Sequence, residues 1–303
     1  MAVISSFGEV SGAPVIDRDT CTSCGVCAET CPTGVLTATD GTVGVDNAAS
    51  FGCIACGQCM MVCPTGSVTV SGRQISPDQL IDLPASAKRA SAEELEALFV
   101  ARRSVRRFRQ DDVPREVIDR VVTAAATAPM GIPPWEVGVV VFSGREKVRE
   151  LAGDVADAYA RLLKWMDNRA TLGLLRVFAK KTTQDQFRSF ILPLGRDIVA
   201  AREAGLDKVL YDAPAALLFH TSPYADRADA FIACTYAMIA AESLGLGSTM
   251  IGCASPLLAR RRDLLEKHGI PARSKPAVVL ILGYPAAAYL RGIRRPFLEV
   301  KYR

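Results

Sequence analysis

Histidine is scarce in this chain, with two among 303 residues. His220 ends a strand-like run, and His268 sits in the helix-end sequence "EKHGIP". Neither has a partner motif, so both read as structural, and no catalytic acid or base stands out. Long apolar runs are missing too. The longest, such as "AFIACTYAMIAA" from Ala230, fall short of the roughly 20 residues that span a bilayer. The opening "MAVISSFGEVSG" has no basic segment followed by an apolar core, so no export signal and a cytoplasmic location are expected. A dinucleotide fingerprint is also absent. "GLGSTMIG" is not G-x-G-x-x-G, and it follows a helical pattern rather than a strand.

Cysteine is what the chain has in excess. Ten are present, and eight lie between Cys21 and Cys63. In a reducing compartment, clustered cysteines usually mean metal. "CTSCGVCAETCPTG" opens at Cys21, and "CIACGQCMMVCPTG" repeats its spacing 32 positions later at Cys53. Zinc ribbons use two separated C-x2-C pairs, whereas two runs of four that both end in Cys-Pro suit iron–sulfur chemistry. The pattern is similar to bacterial-type ferredoxins with two 4Fe–4S clusters. The likeness covers about residues 13–72 and is complete at every ligand position. In such ferredoxins the fourth cysteine of each run ligates the other cluster. The resemblance therefore implies Cys21, Cys24, Cys27 and Cys63 on one cluster, and Cys53, Cys56, Cys59 and Cys31 on the second. "APVID" and "SVTVSG", which flank the runs, read as strands of that small α+β fold. The remaining cysteines, Cys234 and Cys253, read as small core residues.

The net charge of +4 hides an asymmetry. Residues 1–85 hold eight acids and two bases, a balance of −6, and the remainder holds 34 bases and 24 acids, a balance of +10. The arginines of the basic part are dispersed or sit in specific motifs, so nucleic acid is not an expected partner. "SGRQISPDQLIDLPASAKRA" carries two prolines and no strong periodicity, which marks a linker. The expected organisation is a head over 1–72, a linker over 73–90 and a second domain over 91–303.

Within the second domain, Ser91 and Glu94 form a capping box for a helix through about Val100. "DDVPREVIDRVVTAAATAP" reads as a helix with Pro114 in its first turn. "EVGVVVF", "PAALLFH" and "PAVVLILG" read as buried strands. "ADAFIACTYAMIAAESLGLG" reads as a helix that is apolar nearly all round, to be buried in the core or at a subunit interface. Residues 164–200 alternate aromatic and basic side chains. They suit either a surface helix pair or a lid over a bound cofactor.

"ARRSVRRF" from Ala101 gathers guanidiniums around one hydroxyl just after a helix. Arginine forks bind phosphate oxygens in bidentate fashion, although a basic helix end can also be a solvated face. The segment resembles the R-x-S-x-R/K phosphate motif of the nitroreductase family of FMN enzymes. Three later stretches resemble that family in the same order: "APMGIPPW", "LGLGSTMIG" and "LGYPAAAYLRGIRRP". The resemblance spans about residues 92–303 and implies an α+β fold, an α/β/α sandwich that dimerises around two FMN sites. It implies that Arg102, Ser104 and Arg106, with Arg103 nearby, hold the FMN phosphate, and that Arg294 closes that site. Pro129, Met130 and Gly131 would lie along the flavin, and Ile251 and Gly252 would border its ring. Many members carry an Asn and a Gln just before the Pro-Trp, where this chain has Ile132-Pro133-Pro134.

A flavin takes electrons singly or in pairs, and a cubane carries one at a time. Their union implies an oxidoreductase that passes electrons between clusters and FMN to a small organic acceptor: a nitro compound, an activated alkene or a quinone. The donor would be NAD(P)H or an external ferredoxin. The alternatives are a non-catalytic electron relay to a partner enzyme, or a specialised reductase such as a dehalogenase.

Overall fold

The computed structural model describes residues 12–49, 52–72, 79–131, 135–166 and 179–303. The 73–78 part of the expected linker, Ile132-Pro133-Pro134, and 167–178 of the aromatic and basic segment lie outside the described residues. The chain divides into two compact units. The first comprises residues 1–90 with 129–137 and 224–229; the second comprises 91–128, 138–223 and 230–303.

The first unit is built on the 32-residue repeat. Strand β1 (Ala13–Ile16) precedes the first cysteine run, and Gly25 caps helix α1 (Val26–Thr30). Strands β2 (Leu36–Thr39) and β3 (Thr42–Val45) pair antiparallel across the Asp40-Gly41 turn. In the second run Gly57 caps helix α2 (Gln58–Val62), and strand β4 (Val68–Ser71) returns to pair antiparallel with β1. The repeat extends to the backbone. Gly25 and Gly57 take φ of 79° and 75°, and Ser23 and Ala55 take 55° and 54°. Glycine at each helix start supplies the left-handed turn without a Cβ clash. Cys31 and Cys63 then end α1 and α2 in extended conformation. Along β4, Val68 and Val70 point inward while Thr69 and Ser71 point out, the alternation of a half-buried strand. Ile16, Leu36, Val43, Ala55 and Met60 complete a core that includes Cys27 and Cys59.

The second unit surrounds a four-stranded sheet. Helix α3 (Ala92–Ala101) opens with the capping box, in which the Glu94 N–H donates to Ser91 and the Ser91 N–H donates to Glu94. Helix α4 (Arg115–Ala125) follows, with Pro114 at its N-cap rather than inside the first turn. Strand β5 (Val137–Ser143) leads into α5 (Arg145–Met166), a 22-residue helix. Helix α6 (Lys181–Gln186) continues through a π-helical turn (Phe187–Ile191) into α7 (Leu192–Glu203). Strand β6 (Ala215–Thr221), helix α8 (Arg227–Ser243) and strand β7 (Gly247–Ile251) come next. Short helices α9 (Ser255–Leu258) and α10 (Arg262–Lys267) precede strand β8 (Lys275–Gly283).

The strand order is β5-β6-β8-β7, with β8 antiparallel to both β6 and β7. Strands β6 and β8 are central and buried along nearly their whole length. That explains their continuous apolar sequence, since a strand covered on both faces needs no polar alternation. On one face, Ala216, Leu218, Val279 and Ile281 join a core with Leu151 and Val155 of α5, Ile198 of α7 and Leu258 of α9. The alternate residues Leu217, Phe219, Val278 and Leu280 are equally buried, as a helix–sheet–helix sandwich requires.

Helix α8 is not buried all round. Ala230, Ala233, Cys234, Ala237 and Ala241 form a buried stripe, while Phe231, Ile232 and Tyr236 stand 37–40% exposed. The sequence expectation of burial holds for one face, and the other face is open in the single chain. Strand β7 was not anticipated. Its sequence, Gly-Ser-Thr-Met-Ile, lacks the apolar run of its neighbours, and its register on β8 makes it a strand.

Candidate functional site

In the first unit, Cys27 feels Cys63 and Cys21, and Cys31 gathers with Cys53, Cys56 and Cys59; Cys24 is exposed. The thiols of Cys63 and Cys21 raise that of Cys27, although burial is the larger cause. Burial also raises Cys53, with Cys56 and Cys31 adding to it. Cys59 is pushed up to about 12 by burial first, then by Cys53, Cys56 and Cys31. Each fourth cysteine thus acts electrostatically on the other run. Burial alone would raise Cys31 and Cys63 as well. In Cys31 it is outweighed by the Leu36 N–H and the Thr33 hydroxyl, in Cys63 by the Thr65 hydroxyl and N–H, so both are lowered. The hydroxyls pair with the sulfurs at 3.6 Å in both runs. At the other end of each run the Ser23 and Ala55 N–H groups donate to Cys21 Sγ and Cys53 Sγ, each at 3.4 Å.

At Cys31 and Cys63 the donors favour thiolate, the form that binds iron. Cys31, Cys53, Cys56 and Cys59 line one small cavity together. Among the described residues the side chains close on no single-ion site. A cubane sets its four thiolates around a cluster, a wider arrangement than the roughly 2.3 Å bonds of a lone zinc. The donor set, eight cysteines in two runs of four with Cys31 beside the second run, fits two cubanes.

The first unit also contains the loop expected along the flavin. Pro129 and Gly131 are exposed and Met130 is half-buried. The Gly131 N–H donates to Asp229 Oδ1 at 3.0 Å, and Asp229 is only 6% exposed. Trp135 Nε1 donates to the Ala55 carbonyl at 3.4 Å.

In the second unit the arginine-rich segment is an extended strip. The Val105 N–H donates to the Ser248 carbonyl at 3.0 Å, and Thr249 Oγ1 donates to the Val105 carbonyl at 2.6 Å. Further on, the Arg109 N–H donates to Tyr284 O and the Ala286 N–H to Arg107 O. The strip is held between β7 and the chain after β8. Alternation turns Val105 inward and leaves Ser104 and Arg106 exposed. Gly247 permits the approach, because a Cβ there would lie 2.6–2.8 Å from the Val105 side chain.

The arginines divide along the strip. Arg102 Nη1 lies 3.6 Å from Met238 Sδ on α8. Burial lowers its pKa, as do the nearby charges of Arg103 and Arg295; Glu242 opposes them. Arg103 donates to the Val100 carbonyl, and its Nε is buried with no partner among the described residues. Like charges gathered this closely, with one carboxylate near them, fit an anionic ligand. In the tail, the charge of Arg295 acts on Arg102; Arg294, expected to close the phosphate site, is its chain neighbour, and both are exposed. Arg106 lies with its guanidinium 5.6 Å above the Tyr211 ring.

Arg106 also lines a cavity of about 920 Å³, together with Ile251 and Gly252. Its walls are largely aromatic and aliphatic: Tyr159, Trp165, Phe187 and Phe190 among them. Sequence reasoning did not single out Tyr159, Tyr211 or Arg260, which come from separate elements. Phe187 and Phe190 lie in the segment whose aromatic and basic alternation was noted. Cys253, which follows the expected flavin-edge turn, packs against the core and also lines this cavity. Its carbonyl accepts from Tyr159 Oη at 3.3 Å, and burial raises its thiol. Cys234 is a fully buried core residue, as expected. His220 is an inner residue of β6, and His268 Nε2 pairs with Asp154 at 2.7 Å. Neither lines the cavity.

Residues 100–284 match the nitroreductase family, and residues 13–76 match the 4Fe-4S dicluster domain. The chain is 28% identical over 208 residues to an FMN reductase [NAD(P)H] of Bacillus subtilis, covering 66% of this chain and 70% of that protein. It is 30% identical over 226 residues to iodotyrosine deiodinase 1 of Rattus norvegicus, covering 72% and 70% respectively. Among solved structures, a nitroreductase with bound FMN from Bacteroides fragilis superposes with a TM-score of 0.51 at 21% identity, covering 69% of this chain and 98% of that one, which shows the shared fold. The chain belongs to the nitroreductase family of oxidoreductases and carries a 4Fe-4S dicluster domain ahead of its nitroreductase domain.

Proposed function

We propose that this protein is an iron–sulfur flavoprotein that passes electrons between two 4Fe–4S clusters and FMN to reduce a small organic acceptor. The observation that carries this reading is the pairing, in one chain, of eight cysteines in two runs of four, with Cys31 of the first run beside Cys53, Cys56 and Cys59 at one small cavity, and a large apolar cavity bordered by Ile251 and Gly252. When bound, the clusters supply single electrons and FMN supplies paired ones. Cys21, Cys24, Cys27 and Cys63 hold one cluster; Cys53, Cys56, Cys59 and Cys31 hold the other. Arg102, Arg103, Ser104 and Arg106 bind the FMN phosphate, and Arg295 adds charge from the C-terminal arm. Ile251 and Gly252 border the flavin ring, and the aromatic wall excludes water from the acceptor. Asp229 accepts from the Gly131 N–H and fixes the loop of Pro129, Met130 and Gly131, which the family resemblance assigns to the flavin.

The protein acts as a homodimer in the cytoplasm, where thiols stay reduced. NAD(P)H or a reduced ferredoxin is the donor. Anaerobic reduction by NADH, NADPH and reduced ferredoxin in turn, followed by visible and EPR spectra, tests the reading. Both clusters and FMN should reduce with at least one donor, and a nitroaromatic should reoxidise them with turnover. Reduction without reoxidation by any nitro compound, alkene or quinone overturns it. The likeness to an iodotyrosine deiodinase supports a second reading, reductive removal of halogen from an aromatic ring, which halide release would reveal.

A further inference from the structure

The cavity beside Ile251 and Gly252 continues into a second, smaller one of about 290 Å³. The two share Leu162, Trp165, Leu257 and Arg260, and the smaller adds Arg161 and Arg261. The larger chamber is apolar and aromatic, and the smaller is a vestibule with three guanidiniums. No carboxylate lines either one among the described residues. Arg261 is engaged by Asp263. Arg260 reaches only a carbonyl, that of Pro256, at 3.3 Å. At the junction, Trp165, shared by the two cavities, stands 55% exposed, and Phe190 in the larger chamber 59%. Open aromatic faces beside guanidiniums without a carboxylate partner among the described residues offer a planar anion both stacking and charge-assisted hydrogen bonds.

We propose that this junction binds an aromatic acceptor bearing a carboxylate, its ring against Trp165 and Phe190 and its carboxylate on Arg260 and Arg161. The aromatic faces select a planar body. The arginine forks select a two-oxygen anion over a neutral group of the same size. Arg161 lines only the smaller chamber and Arg260 lines both, so a carboxylate held by the two leaves the far end of the ring directed into the larger chamber, toward Ile251 and Gly252. The inference names the acceptor class of the proposed reductase and rests on that reading only for turnover.

The test uses the full-length protein loaded with FMN and iron, in two arms. In the first, calorimetry compares benzoate with benzamide, neither of which is reduced. Benzoate should bind roughly tenfold or more tightly, as a charged hydrogen-bonded pair warrants. The gap should close in the Arg161→Ala/Arg260→Ala protein and be partly kept in Arg260→Lys. In the second arm, para-nitrobenzoate should exceed para-nitrobenzamide in kcat/KM by a similar factor, expressed in KM. Equal binding of benzoate and benzamide, or a gap that survives the double substitution, overturns the proposal. Preferred benzoate binding with no turnover of either nitro compound, nor of a carboxylated alkene or quinone, leaves the anion site standing and removes the reductase reading. Equal turnover of both nitro compounds with no benzoate preference does the reverse. Iron and flavin content of each variant separates a lost contact from a lost fold.

Discussion

Single residues set the limits of both cofactor sites. Gly12 lies against the second cysteine run, where its N–H donates to the Cys53 carbonyl at 3.0 Å. A Cβ at this position would stand 2.7 Å from Cys53 Sγ and 3.0 Å from the Ala55 backbone nitrogen. The sulfur would have to leave its ligating position, since the backbone cannot give way. Gly12→Ala should therefore lose the cluster of Cys53, Cys56, Cys59 and Cys31 and retain the other. Iron per chain should fall from about eight to about four, the content of one cubane. Full iron content in Gly12→Ala would show that the second run tolerates the displacement. The flavin phosphate offers a parallel case. Arg102→Ala or Arg106→Ala each removes a charge-assisted hydrogen bond, worth about 1.5–3 kcal/mol, or on the order of tenfold to a hundredfold in FMN affinity. Ser104→Ala should cost less. Equilibrium dialysis measures all three, and undiminished affinity in both arginine variants would place the phosphate elsewhere.

Strand β6 carries a stability switch of its own. His220 lies at its bulge, packed where Gly138 leaves no side chain, and its Nδ1 is buried with no partner among the described residues. Burial lowers its pKa below the ordinary value of 6.5. In the unfolded chain the imidazole protonates as pH falls through about 6.5, while in the folded protein it stays neutral. The unfolded state then binds more protons, so the stability tied to His220 is complete above pH 6.5 and is lost as pH falls below it. Calorimetric melting between pH 7.5 and 5.5 should show a decline in Tm that is shallower in His220→Asn. Equal slopes would mean that the histidine is solvated. The elements that were legible in the sequence are those whose signal is local. The Ser91–Glu94 box marks α3, and unbroken apolar runs mark β6 and β8. Strand β7 was hidden, because Gly247 is chosen for its fit against Val105 and not for strand propensity. The cysteine runs announce their chemistry because all eight ligands lie within 43 consecutive residues. The aromatic cavity does not, because Tyr159, Tyr211 and Arg260 meet only after folding. The basic run marks the tail as cationic, and the action of Arg295 on Arg102 is set by the path of the backbone and not by the sequence pattern.

At the scale of the whole molecule, apolar surface remains that one chain does not cover. Phe231, Ile232 and Tyr236 form an open face on α8, opposite the alanine stripe that packs inward. The C-terminal tail has no regular secondary structure and exposes Leu290, Phe297, Leu298 and Tyr302 at 84–107%. Monomeric proteins rarely leave contiguous apolar surface of this kind in water. Burying a side chain of this size contributes about 1.5–3 kcal/mol, so a two-fold pairing through this face is the expected way to cover it. Helix α8 also carries Met238 and Glu242, the neighbours of Arg102, so a dimer formed through this face would couple to the proposed phosphate site. The protein should sediment as a dimer at micromolar concentration. Phe231→Glu combined with Tyr236→Lys should shift it toward monomer and weaken FMN retention, while iron content, which depends on the first unit, stays at the wild-type level. A variant that sediments as a dimer and keeps its flavin would mean that this face of α8 is solvent-exposed in the assembled protein and that the tail alone, or another surface, joins the subunits.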